Sequence, residues 1–273
     1  MKKKALIVGC GELGSALGLK LIEQGYRVTG IRRQADKIPH PIQPLSMDLY
    51  QTFPEPGIIK AHPLIYVILT PSARTAEAYE NTYGRMLPQL LKHLAQSRSS
   101  EESRRLILTS STHVYPENEG GYIQEESETS AYDYRSAALL KGEQALFKYH
   151  SQAGICVRFS GLYRSDSQYL QKQLMGDKPL DNPDAWTNRI HREDAVGFLA
   201  HLATHKEPHS IYMGSDNEPV TRRTLFQALG KKFEKAPVFT QTTEDYGKRC
   251  VNQRLQDSGY RLKYPNYRAG YGL

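Results

Sequence analysis

The chain has 273 residues, 39% of them hydrophobic, a length that buries one large α/β core with a smaller lobe and requires no second independent domain. The formal net charge is +7, yet the basic residues are scattered instead of gathered into a stripe, which argues against a nucleic-acid partner and suits anionic small molecules. Cys10, Cys156 and Cys250 lie far apart with no metal-type spacing, so a reduced, cytoplasmic protein without a metal site is expected, with Cys10 and Cys156 as small core residues.

The opening residues, Met1 to Lys4, imitate the basic region of a signal peptide, but Gly9 and Gly11 break the apolar run behind them. No stretch approaches the roughly 18 apolar residues of a membrane span, so no membrane partner is expected. Lys4 to Val8 reads as a strand that opens into Gly9-x-Gly11-x-x-Gly14 and a helix. In that setting Gly9 permits a tight turn, Gly11 lets backbone N–H groups close on a pyrophosphate, and Gly14 lets the helix pack on the strand. Glu12 and Leu13 lie in the same turn, where the helix N-terminus attracts phosphate. A helical stripe over residues 15–24 ends at Gly25, a candidate C-cap.

Tyr26 to Ile31 is a second strand, followed by Arg32 and Arg33. An acidic residue there would bind the ribose 2′-hydroxyl of NAD, whereas two guanidiniums attract a 2′-phosphate, so NADP is expected, with NAD possible. Prolines crowd residues 37–63, where Gln43 to Leu49 can form a short third strand ending near Asp48. Leu64 to Pro71 is an apolar strand of the kind buried on both faces of a parallel sheet. Residues 73–96 read as one helix with Pro88 marking a kink or break, residues 97–105 as a polar exposed segment, and Arg105 to Ser110 as a fifth strand. An acidic loop precedes a helix over 132–151 and a strand from Gly154 to Phe159. Strands alternating with helices argue for an α/β, doubly wound parallel sheet. Further on, a helix over 195–205, capped by Asp194, and a strand at Ile211 to Met213 precede a basic, Tyr-rich tail.

The glycine fingerprint, Ser110-Ser111-Thr112-x-Val114-Tyr115, Arg158-Phe159-Ser160-Gly161-Leu162-Tyr163 and Asn188 to Asp194 together resemble the atypical and extended short-chain dehydrogenase/reductase family, in its NAD(P)-dependent epimerase/dehydratase-like branch. The resemblance covers nearly the whole length. It implies a Rossmann domain over 1–162 plus 188–214 and a substrate lobe over 163–187 plus 215–273. It also implies that Asp48 and Leu49 lie against adenine and that Leu69, Thr70 and Pro71 lie on the adenosine and pyrophosphate side.

In that family a Ser or Thr holds the reacting oxygen and a Tyr in Tyr-x-x-x-Lys moves the proton, with the Lys lowering a phenol pKa that otherwise sits near about 10. Ser111 matches the first role. The second departs, because Tyr132 is followed at the fourth position by Ser136 and Tyr134 by Ala138. Lys141 shares a helix face with Tyr134 but lies about 10.5 Å away along the axis. Tyr134 is the candidate acid, with Tyr132 as the other choice.

His113 stands where the family's dehydratases carry a carboxylate, so elimination chemistry is disfavoured and an imidazole is available for proton transfer. His191 reads as structural, and Lys248 and Arg249 as candidates to meet an anionic substrate group. The expected activity is an NADP-dependent oxidoreductase or epimerase acting on a sugar-like or nucleotide-sugar-like small molecule. A non-catalytic NADP(H)-binding sensor or regulator is the alternative that the missing lysine leaves open.

Overall fold

The computed structural model describes residues 3–97, 105–117, 119–241 and 246–273. Along the chain run β1 (Lys4–Val8), α1 (Glu12–Glu23), β2 (Arg27–Arg32), β3 (Gln43–Ser46), α2 (Pro56–Lys60), β4 (Leu64–Val67), α3 (Ala76–Tyr79), α4 (Leu87–Gln96), β5 (Arg105–Ser111), β6 (Tyr122–Ile123) and α5 (Tyr134–Tyr149). They are followed by β7 (Gly154–Phe159), β8 (Gly161–Tyr163), α6 (Tyr169–Met175), β9 (Trp186–Thr187), β10 (Arg189–His191), α7 (Arg192–Leu202), β11 (Ile211–Gly214), β12 (Val220–Thr221), α8 (Arg222–Lys232), β13 (Arg249–Cys250), α9 (Gln253–Asp257) and α10 (Tyr267–Tyr271). The proposed polar segment before β5 falls largely outside the described residues.

One seven-stranded parallel sheet has the order β3-β2-β1-β4-β5-β7-β11, the doubly wound arrangement expected from the alternation of elements. Val8 lies level with Ile31 on one side and Val67 on the other, and Val67 with Leu108, so the carboxyl ends of β1, β2 and β4 share one edge beyond which β5 runs on to Ser111. The central strands are buried on both faces, which is why their sequences lack polar alternation. Tyr66 is the exception, and its hydroxyl satisfies itself on the Leu199 carbonyl at 2.8 Å. Cys10 and Cys156 are buried as expected, and burial pushes both thiols above their usual range.

Several boundaries move for local reasons. α1 starts three residues early because Gly11 supplies the extended N-cap, and Gly25 follows the Gln24 C-cap at φ +87°, a conformation that a glycine takes without strain. α5 begins at Tyr134 because Asp133 caps it, accepting from the Arg135 and Ser136 N–H groups. The helix expected over 73–96 runs from Ala76 to Gln96, but its irregular part precedes Pro88: residues Glu80–Met86 are π-helical. Proline lacks an N–H and its ring crowds the carbonyl four residues back, here Gly84, and a widened turn relieves both. α7 begins at Arg192, so Asp194 lies inside its first turn and is not its cap. Its carboxylate instead accepts from the N–H groups of Lys263 and Tyr264, at 2.7 and 2.8 Å, and from the Tyr260 hydroxyl.

The described residues fall into two compact units, one of Met1–Val114, Thr129–Arg158 and Val196–Tyr212, the other of Tyr115–Glu128, Phe159–Ala195 and Met213–Leu273. The second has its own core, in which Leu174, Leu180, Val220, Phe226, Leu229 and Tyr267 pack together. His191, read as structural, is buried there, bonded to Ser165 and packed between Tyr163 and Tyr264. Beside them Asp216 is fully buried. One carboxylate oxygen accepts the Glu218 N–H at 3.2 Å, while the other has no partner among the described residues. Burial pushes its carboxyl up to about 7 against the opposing pull of Arg189.

Between about pH 4 and 7 the folded chain therefore holds a proton on Asp216 that the unfolded chain has released, and stability should fall as pH rises through that window. Denaturant unfolding at pH 5 and pH 8 checks this: Asp216→Asn should remove a decline of a few kcal/mol.

Candidate functional site

The turn after β1 shows why each glycine is there. Gly9 has φ +93°, and a Cβ on it would stand 1.9 Å from the Ile68 carbonyl oxygen, so only glycine lets β1 and the end of β4 close together. A Cβ on Gly14 would lie 2.7 Å from the Gly9 oxygen and 3.1 Å from Ile7, which fixes α1 against β1. Gly11 is different: nothing lies within 4 Å of the space a Cβ would take. The N-cap of α1, Gly11, has no side chain to bond the first turn, where Glu12, Leu13 and Gly14 sit, so the helix start suits an anion.

That turn opens on a cleft of about 320 Å³ at the carboxyl edge of the sheet. Gly9 and Gly11 line it from the turn after β1, Arg32 and Arg33 from the end of β2 and the residue after it, Asp48 and Leu49 from the segment after β3, and Leu69 and Thr70 from the segment after β4. The Asp48 carboxylate meanwhile holds its own turn, accepting from the Tyr50 N–H and the Gln51 side chain. Pro71 does not line the cleft, whereas its neighbour Ser72 does. The sequence also gave no sign of Thr82 and Met86, which reach the cleft from the π-helical segment. Thr82 bonds the Tyr50 hydroxyl at 2.7 Å, and Tyr83 anchors the segment by donating to the Leu69 carbonyl at 2.8 Å.

Ser111 ends β5 on the same edge, and its hydroxyl oxygen accepts the His113 N–H at 3.1 Å. Behind it, Ser110 donates to Glu143 at 2.5 Å, and Glu143 also binds the Arg158 guanidinium, with a shortest contact of 2.6 Å. Glu143 and Arg158 are both buried, so charges that would be costly alone satisfy each other and tie β5, α5 and β7 together.

His113 bonds through Nε2 to Asp133 Oδ2 at 2.9 Å. Partial burial alone would raise the Asp133 carboxyl, but hydrogen bonds from the Ser136 N–H, His113, the Ser136 hydroxyl and Arg135 hold it well below the usual carboxylate range. Asp133 is thus a fixed anion that orients the imidazole. Its role was missed in the sequence, where the readable signal was an Asp one residue ahead of a helical pattern.

The tyrosine brought to His113 is Tyr132, not Tyr134. The Tyr132 hydroxyl donates to the His113 carbonyl at 2.8 Å and stands 3.3 Å from both ring nitrogens. Tyr134 turns its hydroxyl to the Arg74 carbonyl at 3.0 Å and packs edge-on against Tyr79.

Neither tyrosine has room for a family lysine one turn on, because Ser136 and Ala138 are 0% and 1% exposed. Lys141 is held by Glu80 at 2.8 and 2.9 Å. Lys248 and Arg249 are also committed elsewhere: Lys248 donates to the Tyr115 carbonyl at 2.6 Å, and the Arg249 guanidinium lies over the rings of Tyr122 and Trp186.

The strand order, the glycine turn after β1 and the cleft over the strand ends define a Rossmann-fold protein. Comparisons with known proteins narrow this class, although no family model matches the chain. A structure from Methylobacillus flagellatus, described as an NAD-dependent epimerase/dehydratase, is 30% identical with a TM-score of 0.81, covering 100% of this chain and 97% of that one. The chain belongs to the NAD-dependent epimerase/dehydratase family. Protein YeeZ of Escherichia coli K12 is 22% identical over 277 residues, 97% of each chain. UDP-glucuronic acid 4-epimerase from Bacillus cereus, solved with NAD, shares the fold at a TM-score of 0.76 and 17% identity, covering 95% of this chain and 94% of that one.

The glycine geometry separates two substitutions. Gly11→Ala should leave thermal unfolding nearly unchanged, whereas Gly14→Val, which must push the Gly9 carbonyl aside, should lower the midpoint by several degrees or prevent folding.

Proposed function

We propose that the chain is an NADP-dependent oxidoreductase or epimerase acting on a sugar-like or nucleotide-sugar-like alcohol or carbonyl. Bound NADP would supply hydride transfer, and the cleft has the parts to hold it. The open space at Gly11 and the uncapped start of α1 suit a pyrophosphate, and Arg32 and Arg33 match a 2′-phosphate. Asp48 and Leu49 would border the adenine, and Leu69 and Thr70 the adenosine side. The Bacillus cereus relative's use of a UDP-sugar supports the substrate class.

The observation that carries the enzymatic reading is the 2.9 Å bond from His113 to Asp133, next to Ser111. Ser111 already accepts the His113 N–H, so its own hydroxyl proton remains to hold the reacting oxygen. With Nε2–H held by Asp133, the His113 lone pair lies on Nδ1, which takes a proton from an alcohol or returns one to a carbonyl oxygen. Tyr132 closes one side of the imidazole. This arrangement does without the lysine that lowers a phenol's pKa, because the proton is carried by an imidazole and not by a phenol. Three buried thiols fit a protein working in a reducing compartment such as the cytoplasm.

Turnover of sugar-like carbonyl substrates with NADPH tests the assignment. His113→Gln should lower kcat by about a hundredfold or more and flatten its pH profile, while Tyr134→Phe should change it little. Tight NADPH binding with no turnover on any such substrate would replace the enzyme with a non-catalytic dinucleotide binder. Replacing Arg32 and Arg33 together with Ala should weaken NADPH binding by roughly 2–4 kcal/mol and leave NADH nearly unchanged, as read by calorimetry. Equal losses for both would remove the NADP assignment.

A further inference from the structure

A second, larger cavity of about 640 Å³ lies at the opposite, amino edge of the sheet. Lys4, Leu64 and Arg105 open β1, β4 and β5 in register, with Ala5 level with Leu64 and Leu64 with Arg105, so the first residues of adjacent strands face one opening. Lys3, Lys4, Arg105 and Lys206 line this cavity, and among the described residues no carboxylate does.

Elsewhere in the chain, cations such as Lys20, Lys141, Arg158, Lys263 and Arg268 are paired with acids. Among the described residues, none of the four at this edge makes an ion pair. The Arg105 guanidinium is fixed by donating Nη1–H to the Leu202 carbonyl at 2.6 Å, which anchors the group.

Nearby groups register the positive field. Burial lowers His205, and the charges of His201, Arg105 and His209 lower it further. His62, lowered first by burial, is also lowered by Lys4. Glu207 is the acid that offsets the field at His205, and it does not line the cavity. The buried Tyr26 ring, with the Lys3 ammonium 5.9 Å from its centroid, and Pro63 and Pro208 give the walls apolar surface as well as charge.

We propose that this cavity binds a small organic polyanion, carrying two or more phosphate or carboxylate groups on a body the size of a nucleotide or sugar phosphate. Four cations around one concavity, with no ion-pair partner among the described residues, form a positive surface that a polyanion neutralises, and arginine and lysine together suit phosphate and carboxylate oxygens. A concavity, not a stripe, favours a small molecule over a nucleic acid backbone. The inference does not depend on the reading of the dinucleotide cleft, which lies at the other edge of the same sheet.

Calorimetric titration of the full chain at low salt, with NADPH at saturation, provides the test, using ATP, fructose 1,6-bisphosphate and citrate as probes. At least one should bind with micromolar affinity, and the phosphate and carboxylate arms identify the source of charge. Lys4→Ala combined with Lys206→Ala, at two exposed positions, should weaken that binding tenfold or more, as should Arg105→Ala if it folds. Lys20→Ala, in an exposed ion pair elsewhere, should leave it unchanged. Binding of no probe below millimolar concentration would overturn the proposal, as would affinity indifferent to Lys4 and Lys206. An oligonucleotide that binds through the same lysines more tightly than ATP would overturn the small-molecule assignment.

Discussion

The close approach of β1 to the end of β4 is the constraint on which the first unit depends. Two strands with ordinary side chains at Gly9 could not bring the Ile68 carbonyl so near, and without that approach the strand ends would splay. Gly14 adds the second restriction by seating α1 against the same turn. The opening left at Gly11 follows from the other two: the backbone is drawn tight on both sides, and one position remains where nothing of the protein intrudes.

A comparable division of labour exists at the end of β5. Glu143 and Arg158 form a buried pair beneath the strand, and Ser110 joins it, so Ser110 spends its hydroxyl on structure while Ser111, the next residue on the opposite face, keeps one. Asp133 likewise works twice, as the cap of α5 and as the anion that orients His113. Fixing a helix start and an imidazole with one carboxylate makes the position of the ring part of the fold and not a matter of side-chain freedom.

The sheet and its glycine turn were legible because both rest on local rules: apolar runs of strand length, and spacings with one physical reason each. Of the residues gathered round the cleft, Asp48, Leu49, Leu69 and Thr70 were reached only through the family resemblance, whereas the glycines and the Arg32–Arg33 pair were legible for the same reason. Thr82 and Met86 were not, since they reach the cleft only because the backbone widens into π turns ahead of Pro88, and helical periodicity carries no mark of that register change. The choice between Tyr132 and Tyr134 was equally out of reach. Two residues apart at a helix entrance, they point in different directions once Asp133 sets where the helix begins, and only then does Tyr132 meet His113 while Tyr134 turns to Arg74. Asp194 shows the reverse case, an apparent cap whose partners lie some seventy residues further along the chain.

The burial of Ser136 and Ala138 also bears on how such a chain can change over time. A lysine at either place would have to enter a packed interior and, at Ser136, dismantle the helix cap as well. Recovering the usual tyrosine–lysine arrangement is therefore not one mutational step away, because every single-residue path passes through a damaged fold. The same packing that orders the His113 cluster acts as a ratchet against the return of that lysine.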